Sequence, residues 1–130
     1  MGYCNKYVKS YGNIMYLLFR VLVGLLFTVH GYQKLFVSGV NLASLMGVAG
    51  VVELLAGLAI AFGFLTRLAA TGGMITMLVA FFKVHAAKGL NPFSNGGELA
   101  LLYLAAFIAL TIFGARRWNL DKVLFKKELF

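Results

Sequence analysis

Long apolar runs separated by short polar breaks organise this chain. The first runs from Ile14 to Phe36, interrupted by Arg20 and His30, and the second from Val40 to Leu65, with Glu53 its only ionisable residue. The third runs from Leu68 to about Ala87 and carries Lys83 and His85 near its end, while the fourth, 98–114, holds no charge after Glu98. About twenty residues rising 1.5 Å each cross the roughly 30 Å hydrocarbon core of a bilayer, so four membrane-crossing helices are predicted, at 14–36, 40–65, 68–87 and 98–114. The breaks at 37–39, 66–67 and 88–97 are short, which makes sequential helices antiparallel neighbours. The predicted fold is all-α: one polytopic domain over 1–130, an antiparallel four-helix transmembrane bundle with a basic tail at 115–130. In the last break, Asn95-Gly96-Gly97 supplies turn chemistry and Glu98 opens a helix whose first turn favours an anion.

Composition agrees with a membrane class. Of 130 residues, 62% are hydrophobic and 12% charged, where soluble domains run near half apolar and a quarter charged. The net charge of +8 would suit nucleic acid if the basic residues formed one patch. They instead flank the apolar runs, which is a topology signal. Lys6, Lys9, Arg67, Arg116, Arg117, Lys122, Lys126 and Lys127 fall on one side, and Lys34, Lys83 and Lys88 on the other. Both termini are thus expected in the cytoplasm, in a multi-pass protein of the plasma membrane whose partners are the bilayer and other membrane subunits, a second copy included, with no nucleic acid. Arg20 inside the first run, the run's length and the lack of an A-x-A-like site argue for an uncleaved first helix. The lone Cys4 excludes an intramolecular disulfide, a CxxC centre and an iron–sulfur cluster held by this chain's cysteines alone, so redox chemistry would use a borrowed cofactor. Gly24, Gly31, Gly47, Gly50, Gly57, Gly63, Gly72 and Gly73 read as small-residue contacts between helices.

Two polar groupings stand out by depth. Arg20 lies about 9 Å, and Glu53 about 18 Å, from the inner boundary, and each ionised alone would be costly in hydrocarbon. They are expected partners, either as an ion pair that locks the bundle or with Glu53 as a proton-carrying carboxyl. Near the opposite face His30 and His85 sit at almost equal depth, with Lys34, Lys83, Asn95 and Glu98 close by. This outward pocket admits three readings. Its residues can be solvated by headgroups. They can bind a small polar or quinone head group, with a histidine exchanging protons and Lys34 or Lys83 stabilising an oxyanion. Or His30 and His85 can ligate haem or a metal, with Glu98 as a third ligand, although the spacing carries no metal signature.

In order along the chain come Arg20-Val21-Leu22-Val23-Gly24, His30-Gly31-Tyr32-Gln33-Lys34-Leu35, Glu53 with Gly57 and Gly63, Leu65-Thr66-Arg67-Leu68-Ala69-Ala70, Asn95-Gly96-Gly97-Glu98 with Tyr103, then Gly114 and Trp118-Asn119-Leu120-Asp121. This series resembles the DoxX family of small four-helix membrane proteins, whose pattern runs R-x-x-x-G, HG-x-x-K-L, E…G…G-x-x-TR-x-A, NGG-E and G…SLD. Asn119 stands where the family usually has Ser, and the tail beyond Asp121 is outside the likeness. The resemblance implies association with membrane oxidoreductases: the family includes subunits linked to archaeal terminal oxidases and to thiosulfate:quinone oxidoreduction. Arg20, Lys34, Glu53 and Glu98 occupy its motif positions. The expected function is a small subunit or partner of a quinone-linked oxidoreductase or redox-stress system. A non-catalytic scaffold is the rival, and an oligomeric solute carrier the third class, because four short helices leave one protomer little room for alternating access.

Overall fold

A computed structural model describes residues 2–129, and these are helical or loop throughout, with no strand among them. Helix α1 spans Gly2–Tyr32 and ends in a π-helical turn at Gln33–Val37. Helix α2 is Leu45–Phe62; α3 is Thr66–Ala80, extended by a π-helical turn at Phe81–His85 and a 3₁₀ turn at Ala86–Lys88. A single turn, α4 (Pro92–Asn95), precedes α5 (Glu98–Phe113), and α6 (Leu120–Phe125) lies in the tail. Three stretches are long and apolar enough to cross a membrane: Cys4–Val37, Leu45–Phe62 and Thr66–Lys88. The fourth expected span is shorter. With 16 residues α5 is about 24 Å long, less than the roughly 30 Å of the hydrocarbon core.

Boundaries moved where side chains cap the backbone. Helix α1 begins twelve residues before the apolar run, since Asn5, Lys6, Lys9 and Ser10 are no barrier to a helix that leaves its packed region; residues 4–11 are all exposed. Helix α2 begins at Leu45 and not near Val40. The Asn41 side chain accepts from the Ala43 N–H at 2.9 Å and the Ser44 hydroxyl accepts from the Gly47 N–H at 3.0 Å, which builds a turn and an N-cap within an apolar stretch. Helix α2 ends at Gly63, whose φ of 72° is the left-handed conformation that closes a helix at low cost on glycine.

Helices α1 and α2 meet backbone to backbone. A Cβ on Gly24 would stand 2.6 Å from the Ala61 nitrogen, and one on Gly31 would stand 2.6 Å from the Gly50 oxygen. Gly57 faces Thr28 and Gly24 in the same seam. In this antiparallel register Thr28 falls beside Gly57, Gly31 beside Gly50 and Leu54, and the Arg20 side chain beside Gly63. Helix α3 packs on α2 and on α5, with Gly73 against the Phe107 ring, whereas α1 meets α5 through large side chains such as Phe27 and Tyr103 and not backbone to backbone. Phe27, Ile60, Met77, Tyr103, Phe107 and Leu110 form the core, Phe27 meeting Phe107 edge-on at 4.7 Å between ring centres. The seam predicts opposite effects of one substitution. Gly31→Ala forces two backbones apart and costs about 1–3 kcal/mol. Gly12→Ala, with nothing within 4 Å of the new methyl, gains helix propensity and costs nothing. Thermal unfolding of each variant in mild detergent checks both signs.

The tail is tied to the helix ends. Asp121, fully buried, accepts the Leu65 N–H on both carboxylate oxygens at 3.2 and 3.1 Å, at the start of α3. Leu120 N–H donates to the Gly63 oxygen at 3.1 Å, and the Tyr16 hydroxyl to the Gly114 oxygen at 2.6 Å. Within the tail the six residues of α6 form a short helix capped by the Asn119 side chain.

Candidate functional site

Arg20 and Glu53 are both buried, at 2% and 1% exposure, but they are not partners. Arg20 donates from one terminal nitrogen to the Ala115 and Trp118 carbonyls at 2.8 and 2.6 Å. Glu53 Oε1 accepts from Lys34 Nζ at 2.5 Å. Side-chain direction decides between the two arrangements. In a helix each Cα–Cβ bond tilts toward the N-terminus. Arg20 therefore leans toward the end of the bundle that holds the tail, away from Glu53. Lys34 leans back along α1 toward the level of Gly31, while Glu53 on the antiparallel α2 leans toward the start of its own helix to meet it. Gly50, one turn before Glu53, leaves room for the Lys34 stem, whose Cβ lies 3.2 Å from where a Gly50 Cβ would be.

Beside this ion pair lies a cavity of about 210 Å³ lined by His30, Lys34, Glu53, His85 and Tyr103, with Phe27, Met77 and Ala100 among its apolar walls. Glu53 Oε2 is buried with no hydrogen-bond partner among the described residues. His30 on α1 and His85 in the π-helical turn after α3 both line this cavity. Tyr103 meets the His30 ring edge-on at 5.8 Å. His85 Nδ1 lies 3.1 Å from the Asn95 carbonyl oxygen, which fixes the ring and leaves Nε2 as its unengaged nitrogen. Asn95, itself buried, donates to the Gly89 oxygen at 2.8 Å and accepts from the Gly97 N–H at 2.7 Å. It shapes the loop that holds His85 and does not line the cavity.

Lys83 and Glu98, expected in the cluster, are exposed and outside the cavity. Lys83 and His85, two positions apart in one helical segment, point to different sides, and Glu98 in the first turn of α5 is exposed. The His30, His85 and Glu98 ligand set is therefore not assembled, and among the described residues no three His, Cys, Asp or Glu side chains come together to hold a metal. Tyr103 was missed as a site residue. Its signal was a phenol in the middle of an otherwise apolar α5. The π-helical turns had no sequence signal, yet they set the end of α1 bearing Lys34 and the end of α3 bearing His85.

Two apolar grooves adjoin the cavity. One, of about 490 Å³, runs between α1 and α5 and shares Leu99 and Tyr103 with it. The other, about 340 Å³, lies between α2 and α3 and shares Lys34 and Ala80.

The DoxX family model matches residues 15–86, more than half of the chain. The chain belongs to the DoxX family. An uncharacterized Haemophilus influenzae protein is 34% identical over 119 residues, covering 83% of this chain and 89% of that one. The Bacillus subtilis protein named "Putative oxidoreductase CatD" is 33% identical over 119 residues, covering 85% and 87%. The Escherichia coli "Inner membrane protein YqjF" is 33% identical over 132 residues, covering 92% and 99%. No solved structure matches. This DoxX protein is thus a membrane protein whose motif residues divide between two ends. Lys34 and Glu53 face the cavity, while Arg20, Gly63, Asn119 and Asp121 build the junction with the tail.

Proposed function

We propose that this DoxX protein is a small subunit or partner of a membrane oxidoreductase and holds a quinone head group in the cavity beside Lys34 and Glu53. The observation that carries this reading is Glu53 Oε2, a buried acceptor without a partner facing a space lined by two histidines and a phenol. A volume of about 210 Å³ is below the roughly 300–1,000 Å³ of drug-sized pockets, so it suits a single ring and not a whole tailed molecule. The groove between α1 and α5 then takes the tail, reached past Leu99 and Tyr103, which line both spaces. The relative named as an oxidoreductase supports the same class.

Quinone chemistry pairs two electrons with two protons. The chain's residues handle the protons and the orientation. Lys34 places a positive charge where oxygen charge develops. Glu53 Oε2 and His85 Nε2 can exchange a proton with an oxygen, and Tyr103 can donate from its hydroxyl. With one cysteine in 130 residues, electrons come from a cofactor on another subunit. Helices α1, α2, α3 and α5 form a four-helix transmembrane bundle in this reading, both termini cytoplasmic in the plasma membrane. The basic end supports that orientation: Arg67 lies beside Gly114 and Arg116 stacks 5.0 Å over the Tyr16 ring.

A scaffold role is the second reading, favoured by Arg20, whose bonds go to backbone carbonyls. Solvent extraction of protein purified in mild detergent from quinone-containing membranes separates the two. The redox reading expects bound quinone near one per chain, and a quinone-free sample leaves the scaffold.

A further inference from the structure

The inner end carries a second site that the cavity chemistry does not use. We infer that the groove between the inner ends of α1 and α2 and the tail binds the phosphate of an anionic phospholipid, with its acyl chains lying on the apolar side of the groove. Arg20, Arg117 and Lys122 line it together with Trp118 and Asn119, in a space of about 470 Å³. Arg20 is 2% exposed, and its hydrogen bonds run from NH1 alone. Its Nε is buried with no partner among the described residues. A guanidinium has five N–H donors in a fixed fork that fits phosphate oxygens. Gly63 preserves this arrangement, since a Cβ there would stand 2.7 Å from Arg20 NH1 and 2.9 Å from the Asn119 Cα.

Charge at this end is unbalanced toward an anion. The two carboxylates of the tail are occupied elsewhere, Asp121 by the Leu65 N–H and Glu128 by the Ala115 N–H, and neither lines the groove. Arg117 and Lys122 are exposed at the mouth, with Lys122 Nζ donating to the Arg116 oxygen at 2.9 Å. Leu17, Val21 and Phe62 supply the apolar wall. Basic mouth and apolar wall together select a lipid over a free anion, which would leave the wall unused. Each Lys or Arg near a membrane surface adds to attraction for anionic headgroups.

Trp118, the one tryptophan of the chain and part of the groove, is the reporter. The full chain is reconstituted in phosphatidylcholine vesicles containing a small, equal fraction of either phosphatidylglycerol or phosphatidylcholine brominated on the acyl chains, whose bromines quench nearby indole. Phosphatidylglycerol should associate about tenfold more strongly than phosphatidylcholine, falling to about twofold in Arg117→Gln/Lys122→Gln. These two exposed positions are substituted because loss of Arg20 would also break its carbonyl bonds. Lys6→Gln/Lys9→Gln removes as much charge from the exposed start of α1 and should leave the preference intact. Equal quenching by both lipids in the wild-type protein overturns the site. So does an equal fall in both double variants, which would make the preference a general charge effect. Loss of the preference on adding millimolar inorganic phosphate would make it a free-anion site instead.

Discussion

Lys34→Met will lower the stability of the purified protein by about 3–5 kcal/mol, and adding Glu53→Gln to it will recover most of the loss. A buried ion pair contributes little net stability, because desolvation offsets the attraction, but removing one partner leaves the other charge stranded at the full cost. Glu53 is the more buried partner, its side chain 2% exposed against 25% for Lys34, so loss of the lysine is the more damaging single change. Glutamine keeps the shape of Glu53 and needs no counter-charge. Denaturant or thermal unfolding of the wild type, both single variants and the double variant reads the coupling directly. Independent effects, with the double variant as unstable as the sum of the singles, would mean that the two side chains do not act on each other.

Arg20→Met is the second large effect, and it separates stability from the cavity. The substitution strips two carbonyls, Ala115 and Trp118, of their donor. With hydrogen bonds to charged groups worth about 1.5–3 kcal/mol each, the expected loss is about 3–6 kcal/mol. Quinone content per folded molecule should be unchanged, because Arg20 lies ten residues, about 15 Å along α1, from the level of His30. The Arg20→Met and Glu53→Gln losses should also add within about 0.5 kcal/mol, as expected of separated sites without shared partners. A coupling well above that, or a fall in quinone content in protein that still folds, would restore Arg20 to the cavity.

These two residues also mark how far the sequence could be read. Apolar run length located the helices, and counting along them placed His30 and His85 at one depth, where the structure joins them at one cavity. Depth counting has no azimuth, however. It placed Arg20 and Glu53 near each other while the direction of the side chains separates them, and the register that brings Lys34 to Glu53 depends on the contact of Gly31 with Gly50 across helices. The start of α2 was legible in Asn41 and Ser44, whose capping roles are local but were hidden in an apolar run. The bond of Asp121 to Leu65 joins residues 56 positions apart, and no local pattern carries such a contact. Lys83 and Glu98 were also placed by depth, and their helical positions point them away from the cavity, where both are exposed.

A quinone head group held beside Lys34 and Glu53 requires saturable binding that depends on Glu53. This is tested most directly by titrating quinone-depleted protein in detergent with a short-tailed quinone and following saturable binding in the wild type, Glu53→Gln and Lys83→Gln. One site per chain is expected, weakened about tenfold or more in Glu53→Gln, the loss expected for one charged hydrogen bond, and unchanged in Lys83→Gln. Equal affinity in all three proteins, or no saturable binding to the folded wild type, would contradict it.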